Sequence, residues 1–233
     1  MAQILTLKRD LLLRILFATL GRFVFVFILL FSAAGNFYWL EGWLFLLIYT
    51  LPSGFSLTLL HHKNPELVYE RLNPEKGQIK EDRIISWIIL ILLNIWIAIL
   101  GFDGGRFQLG VLPEWTKYIG FSFLVLSQAL IHISLKHNPF ASTVVRFQTE
   151  REQRIIRTGP YKYIRHPIYL FNILLLLGGS FLIQSVIGLA LISLFFIIFC
   201  LRIRFEEEFL IMNFDAYFKY RQEVKCKIIP FLY

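Results

Sequence analysis

The stretch Arg157–Tyr169, RTGPYKYIRHPIY, decides how the chain is organised. It is polar, basic and rich in aromatic residues, and an apolar run begins directly at its end. Gly159 and Pro160 predict a turn, and Pro167 suits the first turn of a helix. Long apolar blocks precede the stretch, whereas a short apolar hairpin and a charged tail follow it. We therefore expect a segment at the membrane surface onto which the tail folds back.

The composition is that of a polytopic membrane protein. Of the 233 residues, 57% are hydrophobic and 17% are aromatic, and the mean hydropathy is +0.62. The apolar residues lie in blocks of roughly 20, about the length that a helix needs to cross a bilayer. The sequence therefore predicts an all-α fold, a single polytopic transmembrane helical bundle in a lipid bilayer.

The apolar blocks predict about six membrane spans. The fifth block is short, roughly 24 Å at 1.5 Å per residue, so the alternative is four to five spans plus a helical hairpin that does not cross fully. The first block resembles a signal peptide, but its length and its internal Arg14 and Arg22 favour a retained span. The predicted spans are Leu11–Ala34, Gly42–Leu60, Ile84–Gly101, Tyr118–Leu135, Ile168–Ile183 and Val186–Leu201.

The charge distribution predicts the orientation. The net charge is +8, and 20 of the 24 Lys and Arg residues lie in the N-terminus, the second and fourth inter-span loops and the tail. The positive-inside rule assigns these segments to the cytoplasm, together with both termini, a C-terminal helix and any active site built there. The charges flank apolar spans and form no continuous basic face, so we expect no nucleic-acid partner.

Several chemistries lack their sequence motifs. The chain has no GxGxxG, GxxxxGK[ST], HExxH or CxxC pattern. Cys200 and Cys226 have no metal-ligand spacing, so we expect no metal ion. An enzyme with this sequence does not use a soluble nucleotide-binding fold.

Two polar constellations are the candidates for a site. One is the stretch that contains His166 at the start of the fifth block, where a helix N-terminus presents free N–H donors. The other is Arg202–Glu208, RIRFEEE, directly after the sixth block. Spacing alone does not distinguish a functional site from an ordinary basic juxtamembrane loop and a solvated acidic cluster.

Taken together, the motifs resemble those of the isoprenylcysteine carboxyl methyltransferase family. The shared order is GPYxYxRHPxY, a hydrophobic hairpin, RxRxEExxL, FxxYxxY and a final IP, from Asn138 to the C-terminus, about two-fifths of the chain. The tail reads FDAY where the family commonly has an extra residue, so the alignment of the glutamates stays open by one or two positions. The matching residues are Gly159, Pro160, Tyr161, Arg165, His166, Pro167, Tyr169, Arg204, Glu206, Glu207, Leu210, Phe214, Tyr217, Tyr220 and Pro230, with Asn138, Pro139, Phe140 and Gln148 upstream.

The resemblance implies an integral membrane methyltransferase that uses S-adenosyl-L-methionine. Residues 1–135 would form a helical scaffold, and residues 136–233 would hold the cofactor. Catalytic roles would fall to Arg204 and Glu207, and substrate binding to Arg202 and Arg204. The expected cofactor contacts are Gln148, Gln153, Arg154, Ile155, Ile156, Tyr161, His166, Pro167, Ile168, Tyr169, Glu206, Glu207 and Glu208.

The expected reaction is carboxyl methylation of a prenylated cysteine or a similar lipophilic acceptor. The methyl donor is a cation, which carboxylates and aromatic faces favour. An acceptor carboxylate is already ionised and needs no base, and a bidentate Arg would align it. Alternatives are a phospholipid N-methyltransferase, which needs a base, a sterol-type reductase using NADPH, and a scaffold or transporter without enzymatic activity.

Overall fold

The chain folds as a bundle of α-helices. A computed structural model describes residues 2–73, 78–110, 112–144, 151 and 153–229, with side chains from Asp10 onward. Within these ranges there is no β-strand. The α-helices are α1 (Ala2–Ala34), α2 (Leu40–Lys63), α3 (Pro65–Leu72), α4 (Lys80–Leu100), α5 (Trp115–His137), α6 (Pro167–Ile183), α7 (Val186–Asn213) and α8 (Asp215–Glu223).

Five of these helices are long and apolar enough to cross a membrane, namely α1, α2, α4, α5 and α7. The sixth apolar helix, α6, has only 17 residues. This agrees with the predicted all-α membrane bundle and with the short fifth block. The predicted span starts and ends lie within a few residues of the observed helix ends, except at the N-terminal end of α1, which begins at Ala2, and at the C-terminal ends of α4 and α7.

Helix α4 extends beyond its predicted end because a π-helical turn, Gly101–Phe107, continues it into the predicted loop. The side chain of Asp103 in this turn is buried. Its Oδ2 accepts hydrogen bonds from the Ser185 hydroxyl at 2.7 Å and the Ile187 amide at 2.9 Å. Asp103 thereby satisfies free donors at the start of α7 and fixes the turn between α6 and α7.

Helices α5 and α6 pack with their backbones in close contact. A Cβ atom on Gly120 would lie 2.7 Å from the carbonyl oxygen of Gly178, and one on Gly178 would lie 2.7 Å from the amide nitrogen of Leu124. Small residues allow this approach, which is a common way for membrane helices to associate. The pair holds the start of α6, and with it His166, against the rest of the bundle.

A proline in α2 creates one polar contact between helices. Pro52 has no N–H, so the carbonyl of Ile48 loses its helical donor. The Gln128 side chain of α5 donates to that carbonyl at 3.2 Å. Arg22, the deeper of the two internal arginines of α1, donates to the carbonyl of Thr50 at 2.7 Å.

Helix α7 continues for three turns beyond the predicted end of its span and reaches Asn213. Phe214 then ends the helix in an extended conformation, and α8 turns back. The buried side chains of Tyr217, Tyr220 and Val224 form a small apolar cluster there. This arrangement places the tail beside the segment that precedes α6.

Candidate functional site

Main-chain hydrogen bonds hold the tail against the segment before α6. The amide of Arg165 donates to the carbonyl of Cys226 at 3.0 Å, and the amide of His166 donates to that of Lys227 at 2.9 Å. Both amides would otherwise be unpaired, because His166 is the N-cap of α6 and Pro167 follows it. The predicted folding back of the tail onto this segment is therefore present in the structure.

The side chain of Arg165 reinforces this contact from inside the protein. It is 5% exposed, and its Nη1 donates to the carbonyls of Val224 at 2.6 Å and Lys225 at 2.9 Å. Its Nε donates to Glu207 Oε1 at 2.6 Å. Arg165 thus joins α7, the tail and its own segment, Arg165–Pro167 (the RHP segment), into one unit.

Glu207 is the acidic centre of that unit. Its Oε1 also accepts a hydrogen bond from the Tyr217 hydroxyl at 3.0 Å and lies 3.3 Å from His166 Nε2. A proton on Nε2 would therefore donate to Glu207, leaving Nδ1 as the other ring nitrogen. Buried carboxylates are stable when paired and hydrogen-bonded in this way. Glu207 orients His166 from behind the cavity.

A cavity of about 280 Å³ opens in front of this unit. The Glu206 carboxylate lines it and accepts a hydrogen bond from the Tyr169 hydroxyl at 2.9 Å. Four tyrosines contribute to the wall, Tyr161, Tyr169, Tyr217 and Tyr220. The volume is near the lower end of the roughly 300–1,000 Å³ that ligand pockets occupy.

Burial changes the ionisation of the tyrosines that join the tail to the cavity. It raises the pKa of Tyr161, Tyr217 and Tyr220 above their usual range, and the Glu207 carboxylate adds to the effect on Tyr217. All three are therefore neutral hydrogen-bond donors near neutral pH. The Tyr220 hydroxyl uses this capacity to donate to the carbonyl of Tyr161 at 2.7 Å.

Arg202 lines the cavity on the same face of α7 as Glu206, and protein groups hold its guanidinium. Its Nε donates to Asp82 Oδ1 at 2.9 Å, and its Nη2 donates to the carbonyl of Thr143 at 2.7 Å. The residue also lies over the ring of Tyr169. Asp82, at the start of α4, thus holds this wall residue in place from the N-terminal half of the chain.

Most of the residues assigned from the sequence meet at this cavity. The RHP segment supplies one wall and α7 supplies another, as the two constellations predicted. Gln148 lies outside the residues that the structure describes. The assigned residues that line the cavity are Gln153, Arg154, Ile155, Ile156, Tyr161, His166, Pro167, Ile168, Tyr169, Arg202 and Glu206.

Three assigned residues of α7 do not line the cavity. Arg204 and Glu208 form a surface ion pair of 3.1 Å, with side chains that are 75% and 50% exposed. Successive helical residues are about 100° apart, so Arg202 and Glu206 share one face while Arg204 and Glu208 share another. The geometry therefore does not support the expected substrate contact of Arg204 or the expected cofactor contact of Glu208. Glu207 contacts His166 on the side away from the cavity.

Several cavity residues have no role that the sequence motifs predict. Arg71 of α3 is one, although its spacing after Leu67 and Val68 places it on the buried face of that helix. Asn172, an amide side chain in an apolar block, is another. The further lining residues without an assigned role are Asn138, Phe140, Ala141, Ser142, Thr143, Val144, Arg165, Phe209, Leu210, Tyr217 and Tyr220.

The lining suits a cationic cofactor with an aromatic ring. Glu206 and the tyrosine faces favour a sulfonium, and Ile155 and Ile156 offer apolar contact to an adenine. Within the described ranges, no cluster of three or more His, Cys, Asp or Glu residues could hold a metal ion. The residues present therefore fit S-adenosylmethionine.

Comparison with known proteins adds one match. Residues 115–216, less than half of the chain, match the family model of phospholipid methyltransferases. That family and the isoprenylcysteine family belong to one superfamily of membrane methyltransferases. The search of curated proteins found no match. The matched region contains α5, α6, α7, His166 and Glu206, and with the apolar helices it supports an integral membrane methyltransferase.

Proposed function

We propose that this protein is an S-adenosylmethionine-dependent methyltransferase that modifies a lipophilic acceptor at the membrane surface. The observation that carries the proposal is the shared cavity of His166 and Glu206, where two distant sequence motifs meet. Both motifs lie inside the region that matches the phospholipid methyltransferase family model. Positively charged loops around the cavity favour its location on the cytoplasmic face.

Each wall residue has a defined task in this proposal. S-adenosylmethionine supplies an electrophilic methyl group on a sulfonium. Glu206, oriented by the Tyr169 hydroxyl, attracts the positive charge. His166, held by Glu207, presents its other ring nitrogen beside Glu206, with Nδ1 3.8 Å from Glu206 Oε2. Catalysis then depends mainly on alignment of donor and acceptor, which can lower a barrier by several kcal/mol.

A phospholipid amine is the acceptor that the family match favours. An ammonium group must lose a proton before it can attack the methyl group. Glu206 lines the cavity with its side chain 27% exposed, so its carboxylate is accessible to an acceptor headgroup. In this reaction Glu206 would take the proton, and the amine nitrogen would displace the thioether leaving group.

Carboxyl methylation of a prenylated cysteine is the second candidate, because of the resemblance carried by GPYKYIRHPIY. It requires a cation that aligns the acceptor carboxylate. Arg204 lies outside the cavity, and Arg202 is already engaged by Asp82. A carboxylate acceptor would therefore use a different arginine from the one expected from the sequence.

Binding of S-adenosylhomocysteine to the purified protein in detergent tests the enzyme class. We expect saturable binding by calorimetry, weakened by His166→Ala and by Glu206→Gln. Glu208→Gln is the control, because it alters a neighbouring carboxylate outside the cavity. It removes only a surface ion pair and should leave the affinity within about twofold of wild type. Absence of binding to the wild-type protein would contradict the proposal, and binding of NADPH instead would favour the reductase.

Lipid analysis tests the acceptor. Membrane lipids from cells with and without the gene are compared by mass spectrometry. Methylated ethanolamine headgroups that depend on the gene would support the phospholipid amine. Unchanged phospholipids together with gene-dependent methyl esters on prenylcysteines would support the second candidate instead.

A further inference from the structure

Arg71 carries a positive charge at the cavity wall that has no role in the proposed function. It is the last basic residue of α3, a helix of eight residues between α2 and α4. Leu67 and Val68, one turn earlier on the same face, are fully buried and pack against α1, α2 and α5. This packing points the guanidinium inward, to the wall of the cavity. An arginine on the buried face of a short helix needs a partner to offset its desolvation.

The protein itself supplies little compensation for that charge. Nη1 of Arg71 donates to the carbonyl of Ala141 at 2.8 Å. No carboxylate in the described part of the chain forms an ion pair with it. Burial lowers the pKa of Arg71 to about 10, which reflects the cost of an uncompensated cation. The remaining donors of the guanidinium are therefore available to a ligand.

A second unpaired donor lies on the same segment of the wall. The Thr143 hydroxyl is buried, and no hydrogen-bond partner for it is present among the described residues. Thr143 lines the cavity, and its carbonyl holds Arg202. Ala141, which holds Arg71, is only two residues away. The segment 141–143 thus carries an unsatisfied hydroxyl together with the two carbonyls that hold Arg71 and Arg202.

We infer that Arg71 and the Thr143 hydroxyl bind an anionic oxygen group, a phosphate or a carboxylate, of a ligand in this cavity. The guanidinium fork matches the geometry of both groups, and the hydroxyl supplies an additional donor. The inference rests on the proposed function and adds a recognition site that lies partly outside the matched region, because Arg71 precedes residue 115. Glu206 and Arg71 together make the cavity complementary to a ligand with both charges.

Two ligands could supply the anion, and matched probes distinguish them. S-adenosylhomocysteine carries a carboxylate that 5′-methylthioadenosine lacks. A short-chain phosphatidylethanolamine carries a phosphate that the corresponding diacylglycerol lacks, and N-acetyl-S-farnesylcysteine tests an acceptor carboxylate. Binding is measured on the full chain in detergent, for wild type, Arg71→Gln, Arg71→Lys and Thr143→Val. Arg221→Gln, at an exposed position of α8, is the control.

We expect Arg71→Gln to lower the affinity for the anionic probe roughly 10- to 100-fold, as for loss of a charge-assisted hydrogen bond. The affinity for the neutral counterpart should change little. Loss for S-adenosylhomocysteine alone assigns the site to the cofactor, and loss for an acceptor probe alone assigns it to the acceptor. Arg71→Lys should recover part of the affinity. Thr143→Val should show a smaller loss for the same probe.

Ligand-free stability separates binding from a structural role. Because Arg71 has no ion pair among the described residues, Arg71→Gln should change the unfolding temperature of the ligand-free protein little. A large decrease, or unchanged affinity for every probe while the wild type binds S-adenosylhomocysteine, would overturn this inference and leave the proposed function standing. Wild-type protein that binds none of the probes would overturn both.

Discussion

Three consecutive glutamates of α7 occupy three different environments. Glu206 faces the cavity, Glu207 is buried against Arg165 and His166, and Glu208 is on the surface. The cause is the rotation of about 100° per residue along the helix. Chemically identical side chains therefore occupy the cavity wall, a buried position beside His166, and a solvated ion pair.

Removal of the charge of Glu207 should destabilise the protein strongly. Glu207→Gln leaves Arg165 buried without its counter-ion, and breaking a buried pair typically costs about 3–5 kcal/mol. Thermal unfolding in detergent measures the loss. Glu208→Gln is the matched control, because an exposed pair contributes about 0–1 kcal/mol. Equal effects of the two substitutions would contradict the burial of Glu207.

At the scale of elements, the tail is held by neutral tyrosines. Tyr217 donates to Glu207, and Tyr220 donates to the carbonyl of Tyr161. Their pKa values are raised in the folded protein above the usual value near 10. Their contribution to stability is therefore fully present below about pH 10, and it is lost as the pH rises through the raised pKa.

A pH series tests this docking of α8. The unfolding temperature of the wild type should fall more steeply above about pH 10 than that of Tyr217→Phe, which has no phenol to ionise at this position. Below that pH the two curves should run parallel, with the variant lower by the loss of one hydrogen bond. Curves that stay parallel up to pH 11 would show that Tyr217 does not couple the tail to the bundle.

The contact between α5 and α6 is a second test at this scale. Gly120→Ala introduces a methyl group against the backbone of α6, and overpacking typically costs about 1–3 kcal/mol. Gly21→Ala is the control, since no atom lies within 4 Å of the added Cβ. We expect a lower unfolding temperature only for Gly120→Ala. A neutral result there would indicate that the two helices pack less closely than the structure has them.

At the scale of the whole molecule, the sequence predicts the bundle better than the outer parts of the site. Apolar blocks define helices such as α5 directly, because a helix is the way to satisfy backbone groups in lipid. The motif around His166 and the glutamates also predicts two walls of the cavity. The roles within α7 required its exact register, which the motif left open.

The contribution of the N-terminal half could not be predicted from the motif. Arg71 lines the cavity because α3 packs against α1 and α2. Asp82 holds the cavity residue Arg202 because α4 packs against α7. No local pattern specifies such contacts between distant segments. The sequence also does not predict the π-helical turn after α4, because Gly104 and Gly105 indicate a loop. Its geometry depends on contact with the α6–α7 turn through Asp103.

The orientation of the bundle is the remaining prediction at this scale. Positive charge predicts that the cavity faces the cytoplasm and that the turn between α1 and α2 faces the other side. Tyr38 in that turn is 98% exposed, and Tyr163 near the cavity is 69% exposed, so both accept a cysteine without disturbing the core. Each cysteine is introduced singly into a protein that also carries Cys200→Ser and Cys226→Ser, so that it is the sole thiol.

In right-side-out vesicles an impermeant maleimide should label Tyr38→Cys at once and Tyr163→Cys only after detergent is added. The reverse pattern would place the cavity on the outer face, away from the cytoplasmic supply of S-adenosylmethionine, and would contradict the proposed function.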